Sequence, residues 1–491
     1  MMLCPLVISV CLGLSTPVYS TVDFAPLETK ASTTKETTEL TSSTICSRCT
    51  CIQREIVCRG RPKLMDLANL QIPANYNKLV LSSNQLTRLH PDSFKSGIDL
   101  TEIDLTYNEI GFIAGNSFQP FKNLTTLCLA HNNLVTLEDD SFAGLEKLQK
   151  LDISHNRFKI LNPAYFEKLV NLQFLILDSN ALVHLHGSIF KNNIKLTHLF
   201  MNKISASQLE DDIFQYTRNL RVLHLEDNFL EDVPRKALAK LPLLEVLYLS
   251  GNPIHVISAM AFPKLPNLQT LVLDGMYNLG LIDIYGFTDL PLLRNLKIQH
   301  CTNLVYIDPQ AFNLDIQKEH SRYPQLKHFV LHDTSVTTLS EKLLNWDDLE
   351  DLDISGNHFH CNCNLSWIID VVRKNDVNNN IKCHSPEALA DRVIGRIQPK
   401  EMICDNYHPM KDDGESAPYH ERAPVIPESR RFSLLHLSVI VMLSVTIALS
   451  VLLVLSIRRR GFIYRKLGGK PAPMTYAGGE NVLYMRTTID C

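Results

Sequence analysis

A repeat of 24 residues constrains this chain more than any other feature of its sequence. The run Leu100-x-x-Ile103-x-Leu105-x-x-Asn108-x-Ile110 recurs as Leu124, Leu127, Leu129, Asn132 and Leu134, and again as Leu148, Leu151, Ile153, Asn156 and Phe158. The asparagine slot falls at Asn84, Asn108, Asn132, Asn156, Asn180, Asn228 and Asn252, with Ile204 filling the gap in step. A phenylalanine lies ten residues past each slot, at Phe94, Phe118, Phe142, Phe166, Phe190, Phe214 and Phe262, with Leu238 as the one substitute. Two independent columns sharing one period mark a stacked repeat. Each L-x-x-L-x-L stretch predicts a short strand with alternate leucines inward, and successive strands pair in parallel. No single turn buries its own apolar face, so stability comes from neighbours. The slot amide offers donors and an acceptor to backbone groups that would otherwise be buried unpaired where the coil turns in. The phenylalanine fills the wider convex side.

These columns resemble the extracellular leucine-rich repeat family, over residues 46 to about 404. The resemblance implies an α/β solenoid whose curved parallel sheet lines the concave face. About twelve turns run over 76–357, with the last slots at Met276, Cys301, Thr334 and Asn357. Cysteine in an asparagine slot is a variant the family permits, so Cys301 reads as structural. Ile204 has no amide, so either Ser205 or Ser207 replaces it or the coil is locally irregular. Between Leu293 and Leu326 the spacing stretches well beyond the regular period, and Asp315 to Tyr323 should bulge as a polar loop. A tolerated insertion explains such a loop more simply than a ligand contact does.

Two cysteine clusters flank the repeats: Cys46-x2-Cys49-x-Cys51-x6-Cys58, and Cys361-x-Cys363-x19-Cys383-x20-Cys404. An open solenoid end exposes its core, and a small stapled module covers it. The clusters resemble the family's terminal flanking caps, over 46–75 and 358–404. The resemblance implies the pairs Cys46–Cys51, Cys49–Cys58, Cys361–Cys383 and Cys363–Cys404, although sequence alone leaves each connectivity open. Four cysteines also suit zinc, but the secretory context favours disulfides. Cys128, at an outward strand position, reads as a free thiol.

The secretory context comes from the ends. Residues 1–20 hold a short apolar core, Pro5 to Leu14, with Val18 and Ser20 placed for signal peptidase. Residues 21–45 contain eleven Ser or Thr and no repeat, a flexible segment. Residues 405–431, rich in proline, read as a stalk. From Phe432 to Ile457 no acidic or basic side chain occurs other than His436, and Arg458, Arg459 and Arg460 follow. That run is long enough to span a bilayer as one transmembrane helix. The expected topology is single-pass type I at the plasma membrane, N-terminus outside, with 458–491 as a cytoplasmic tail. A tail of that extent leaves no room for a kinase or Toll-type signalling domain. Tyr464 and Leu467 form a weak endocytic sorting motif, and the terminal Ile489-Asp490-Cys491 weakly suits a PDZ groove.

Binding is sought on the outward strand positions. One column holds Phe174, His198, Val222, Val246 and Thr270, and its neighbour holds Ile176, Phe200, His224, Tyr248 and Val272. Elsewhere these columns are mostly charged or polar, so the apolar run across five strands marks a candidate protein-binding patch. Its anchors are Phe174, Ile176, Phe200, Val222, Val246, Tyr248 and Val272. Local packing of β-formers against each other on a solvated sheet is the alternative, and binding is the preferred reading. His131, His155, His224, His300, His328 and His332 read as solvated surface. Asn123 and Asn364 are the N-glycosylation sequons.

A formal net charge of −4 without a basic run argues against nucleic acid. No nucleophile, metalloprotease or phosphate-loop motif appears, and neither a cofactor nor a metal is expected. The expected partner is an extracellular protein ligand or a second copy of the chain. The resemblance extends to leucine-rich-repeat neuronal and adhesion proteins, here without immunoglobulin or fibronectin domains. An innate-immune co-receptor or decoy of Toll-receptor type is the alternative.

Overall fold

The computed structural model describes residues 45–59, 64–67, 71–94, 99–314, 323–374 and 381–404. The expected signal peptide, the Ser/Thr-rich segment, the stalk, the transmembrane helix and the tail with Tyr464 and Leu467 lie outside the described residues, as do 315–322 of the expected loop. Among the described residues, no helix is long and apolar enough to cross a membrane.

Twelve parallel strands, one per turn, form one continuous sheet. They begin with Lys78–Val80, Glu102–Asp104, Thr126–Cys128 and Lys150–Asp152. Phe174–Ile176, His198–Phe200, Val222–His224 and Val246–Tyr248 follow as turns five to eight. Thr270–Asp274, Asn295–Gln299, His328–His332 and Asp351–Asp353 complete the row. The register keeps the sequence period, so Leu199 faces Leu175 on one side and Leu223 on the other. Central leucines such as Leu175, Leu199, Leu223 and Leu247 are wholly buried while their neighbours face outward, the alternation a pleated strand dictates.

The convex side departs from the expected α/β class. Among the described residues, α-helix is confined to Arg235–Leu238 and Ile368–Lys374. Outside the main sheet the repeats run through turns, short 3-10 segments and two small parallel sheets, Arg88–Leu89 with Phe112–Ile113 and Val256–Ile257 with Leu281–Ile282 and Tyr306–Ile307. Strand and slot use up much of each period. What remains must cross the convex side and reverse twice, which excludes a helix of ordinary length, about 11 residues. The fold is a parallel β-solenoid.

The slot asparagines form a shared ladder. Asn132 Nδ2 donates to the carbonyls of Leu105 (3.0 Å), Leu129 (3.0 Å) and Ala130 (3.2 Å), while its Oδ1 accepts the Ile110 amide at 3.0 Å. Asn156 Nδ2 reaches the same Leu129 carbonyl at 3.0 Å. Each turn is thereby tied to the one before. At Ile204 the main chain takes over: the Leu182 amide donates to the Ile204 carbonyl at 3.0 Å, and the Ile204 amide donates to Asn228 Oδ1 at 3.0 Å. The residue before each slot has positive φ throughout the repeats, Lys203 included, but here Ser205 just past the slot does too (65°). The coil is therefore locally irregular, and a backbone carbonyl, rather than a serine, is the substitute.

The phenylalanine column is the spine of the core. Phe94, Phe118, Phe142, Phe166, Phe190, Phe214 and Phe262 are fully buried, continued by Phe287 and Phe312. Neighbouring rings stand 6.2 Å apart at Phe118–Phe142 and 4.7 Å apart at Phe287–Phe312. Burying each ring stabilises the stack by roughly 1.5–3 kcal/mol.

Both ends are closed. An antiparallel hairpin, Thr50–Ile52 with Glu55–Val57, lays its second strand against the first turn. Cys46 bonds Cys51 and Cys49 bonds Cys58 around it. At the other end Cys361 bonds Cys383 and Cys363 bonds Cys404. There the helix Ile368–Lys374 buries Ile368, Ile369 and Val372, and Trp346 bridges Phe329 and Trp367. Cys301 is the one free cysteine among the described residues, buried with its thiol toward the Leu273 and Gln299 carbonyls. Cys128 corrects the expectation of an outward free thiol: it is buried and is not among the free cysteines.

Candidate functional site

Strand pairing aligns the two outward columns as the period requires. Phe174, His198, Val222, Val246 and Thr270 are consecutive partners, and so are Ile176, Phe200, His224, Tyr248 and Val272. All ten are half-buried, their rims open on the concave face. They pack on each other through their rings. Phe174 stacks on His198 at 4.2 Å, and His224 lies between Phe200 (4.5 Å) and Tyr248 (4.1 Å). Cross-strand stacking and partial exposure therefore coexist: the rings hold one another flat and present a pre-ordered apolar surface.

His224 is thus part of the surface rather than a solvated bystander, and it also contacts Glu226 at 3.0 Å. Burial, then His224, pushes the His198 imidazole below its ordinary value. Burial, then Glu226, raises the Tyr248 phenol. Other histidines stack too: Tyr107, His131 and His155 form a row with 4.2 and 4.0 Å between centroids, just past the second, third and fourth parallel strands.

A third column was not read from the sequence. Two residues past the second column stand Asp178, Asn202, Glu226, Ser250 and Asp274. Asp178 accepts the Asn202 amide at 2.7 Å, and Asn202 accepts that of Glu226 at 2.7 Å. Burial raises the Asp178 carboxyl to about 6 against that hydrogen bond, with Asp152 and Glu226 adding to the rise. The strand alternation, continued by one more outward position, was the signal that would have found it.

Of the sequons, Asn364 is exposed in the C-terminal cap and Asn123 is half-buried, accepting from Lys147 Nζ at 2.8 Å. Among the described residues, no group of three His, Cys, Asp or Glu is arranged to hold a metal.

A parallel solenoid with a shared asparagine ladder and disulfide-stapled caps at both ends defines a class, the β-solenoid of leucine-rich repeat type with cysteine caps. The leucine rich repeat family model matches residues 75–134, 122–182, 195–254, 218–279 and 244–304. The leucine-rich repeat and fibronectin type III domain-containing protein 1 of Danio rerio is 42% identical over 50 residues, 10% of this chain and 8% of that protein. The crystal structure of the TLR13–ssRNA13 complex is similar with a TM-score of 0.57 and 28% identity, over 66% of this chain and 48% of that one. The octameric complex of Latrophilin 3, Unc5D and FLRT2 (LRR) is similar in fold, with a TM-score of 0.50 and 19% identity over 71% of this chain and 97% of that one. The chain thus spans a small part of that curated relative and about half of the Toll-type structure.

Proposed function

We propose that the chain is a single-pass cell-surface receptor or adhesion molecule that binds a protein ligand on the concave face of its repeats. The carrying observation is the flat apolar surface across turns five to nine, with Phe200, His224 and Tyr248 stacked at its centre. Rigid aromatic rings bury much area at small entropic cost, the property of interface hot spots. Phe174, Ile176, Val222, Val246 and Val272 extend it. The apolar run 432–457 serves as the membrane span, Asn123 and Asn364 carry N-glycans, and Tyr464 with Leu467 or the C-terminus meets an endocytic adaptor or a PDZ domain.

Phe200→Asp combined with Tyr248→Asp puts two charges in the centre of the surface. Cells displaying the full chain should then lose aggregation or ligand capture at least tenfold, with surface expression unchanged. Undiminished binding by the doubly substituted chain refutes the reading. The likeness to a Toll-type structure supports a second reading, an innate-immune co-receptor or decoy. Aggregation of expressing cells favours adhesion; capture of microbial products without aggregation favours the immune role. Carboxylates beside the surface oppose nucleic acid as its ligand, since phosphate contacts require lysine and arginine.

A further inference from the structure

The apolar surface does not stand alone. Asp178, Glu226 and Asp274 occupy the third outward column on alternate turns, along one side of the aromatic row. Two cations of these turns, Lys203 and Arg221, are already paired with Asp227 and Glu245. Among the described residues no lysine or arginine forms an ion pair with the three carboxylates: Glu226 meets His224, and Asp274 meets His300 at 2.7 Å. The face therefore carries a surplus of negative charge directly beside its apolar centre. A partner that covers the aromatic rings also strips water from these carboxylates, which is costly unless it supplies a compensating charge.

Spacing narrows the partner further. Adjacent strands lie about 4.8 Å apart, so carboxylates on alternate turns stand about 10 Å apart. An extended polyproline-II segment has three residues per turn and rises about 3.1 Å per residue, so side chains three apart share one face at about the same spacing. We infer that the concave surface takes an extended, cationic protein segment, with lysine or arginine three residues apart beside an aromatic or aliphatic side chain. This rests on the concave-face reading above and adds the chemistry of the ligand. The apolar side chain sits on Phe200 and Tyr248, while the basic groups reach Asp178, Glu226 and Asp274.

A random dodecapeptide phage library panned on the immobilised full chain tests both levels. Clones are kept when they bind the wild-type chain and fail to bind Phe200→Asp/Tyr248→Asp. These should be net positive, with an aromatic residue and basic residues at three-residue spacing. Their affinity should fall at least tenfold on Asp178→Asn/Glu226→Gln, a pair that keeps the shape and removes the charge. The apolar contribution should survive that pair, as retained weak binding at high salt. Neutral or acidic clones, or clones indifferent to Asp178→Asn/Glu226→Gln, overturn the cationic ligand while leaving the concave site standing. If no clone depends on Phe200 and Tyr248, the concave site itself fails and the inference with it. Dimerisation of the wild-type chain through this face, with no peptide able to compete, assigns the surface to a second copy and also overturns the inference.

Discussion

The shared asparagine ladder makes a quantitative prediction that a simple count of hydrogen bonds misses. Replacing Asn132 by alanine removes four bonds, yet most of the groups it served keep a partner. The Leu105 carbonyl keeps Asn108 Nδ2, the Leu129 carbonyl keeps Asn156 Nδ2, and the Ala130 carbonyl keeps the Tyr107 amide. The Ile110 amide alone loses the acceptor it had in Asn132 Oδ1. One stripped buried donor costs about 1–3 kcal/mol, and that is the expected loss for Asn132→Ala. Asn156→Ala is equivalent, stripping the Leu134 amide. Together they do more, because the Leu129 carbonyl then has neither of its two side-chain donors. The double substitution should exceed the sum of the single ones by about 1–3 kcal/mol.

The control pair is Asn132 with Asn252, which share no carbonyl and should be additive within about 0.5 kcal/mol. Urea unfolding of the full chain by far-ultraviolet circular dichroism measures all five variants. Fluorescence of Trp346 and Trp367 checks that the transition is cooperative, which stacked repeats do not guarantee. Equal coupling in the two pairs, or none in the adjacent pair, would refute the shared-carbonyl account.

Three further outcomes are expected. Asp178 titrates higher in the folded chain, at about 6, than in the unfolded one. The folded state then holds the extra proton between about pH 4 and 6, so stability falls as pH rises through that window, on the order of 2–3 kcal/mol. Asp178→Asn should flatten this part of the stability profile relative to wild type. Burial lifts the Cys301 thiol to about 11; peptide mapping should find it unmodified by iodoacetamide at pH 8 in the folded chain and alkylated after denaturation. Gly144 has φ of 93°, and an added Cβ would lie 2.9 Å from the Gln119 backbone, so Gly144→Ala should cost about 1–3 kcal/mol in the same urea assay.

The sequence by itself determined the coil. Its asparagine and phenylalanine columns gave the period, the number of turns and the parallel pairing, because each turn must bury the same side chains against its neighbours. It also placed the two outward columns, since strand alternation needs only counting. Its three limits are physical. The α/β class depended on how much chain is left after the strand, and one period leaves too little for a convex helix. At Ile204 the missing amide is replaced by the chain's own backbone, a bond between turns that no side-chain pattern records. Cys128 looked free and outward because alternation places it on the outer face of its strand, yet packing in the stacked coil buries it. Only the tertiary structure decided that His224 is clamped between Phe200 and Tyr248. The same holds for Asp178, Glu226 and Asp274, which turn the edge of that surface acidic. Side chains a full period apart in sequence become neighbours only when the coil stacks, and their shared solvent and charge then set the chemistry of the face.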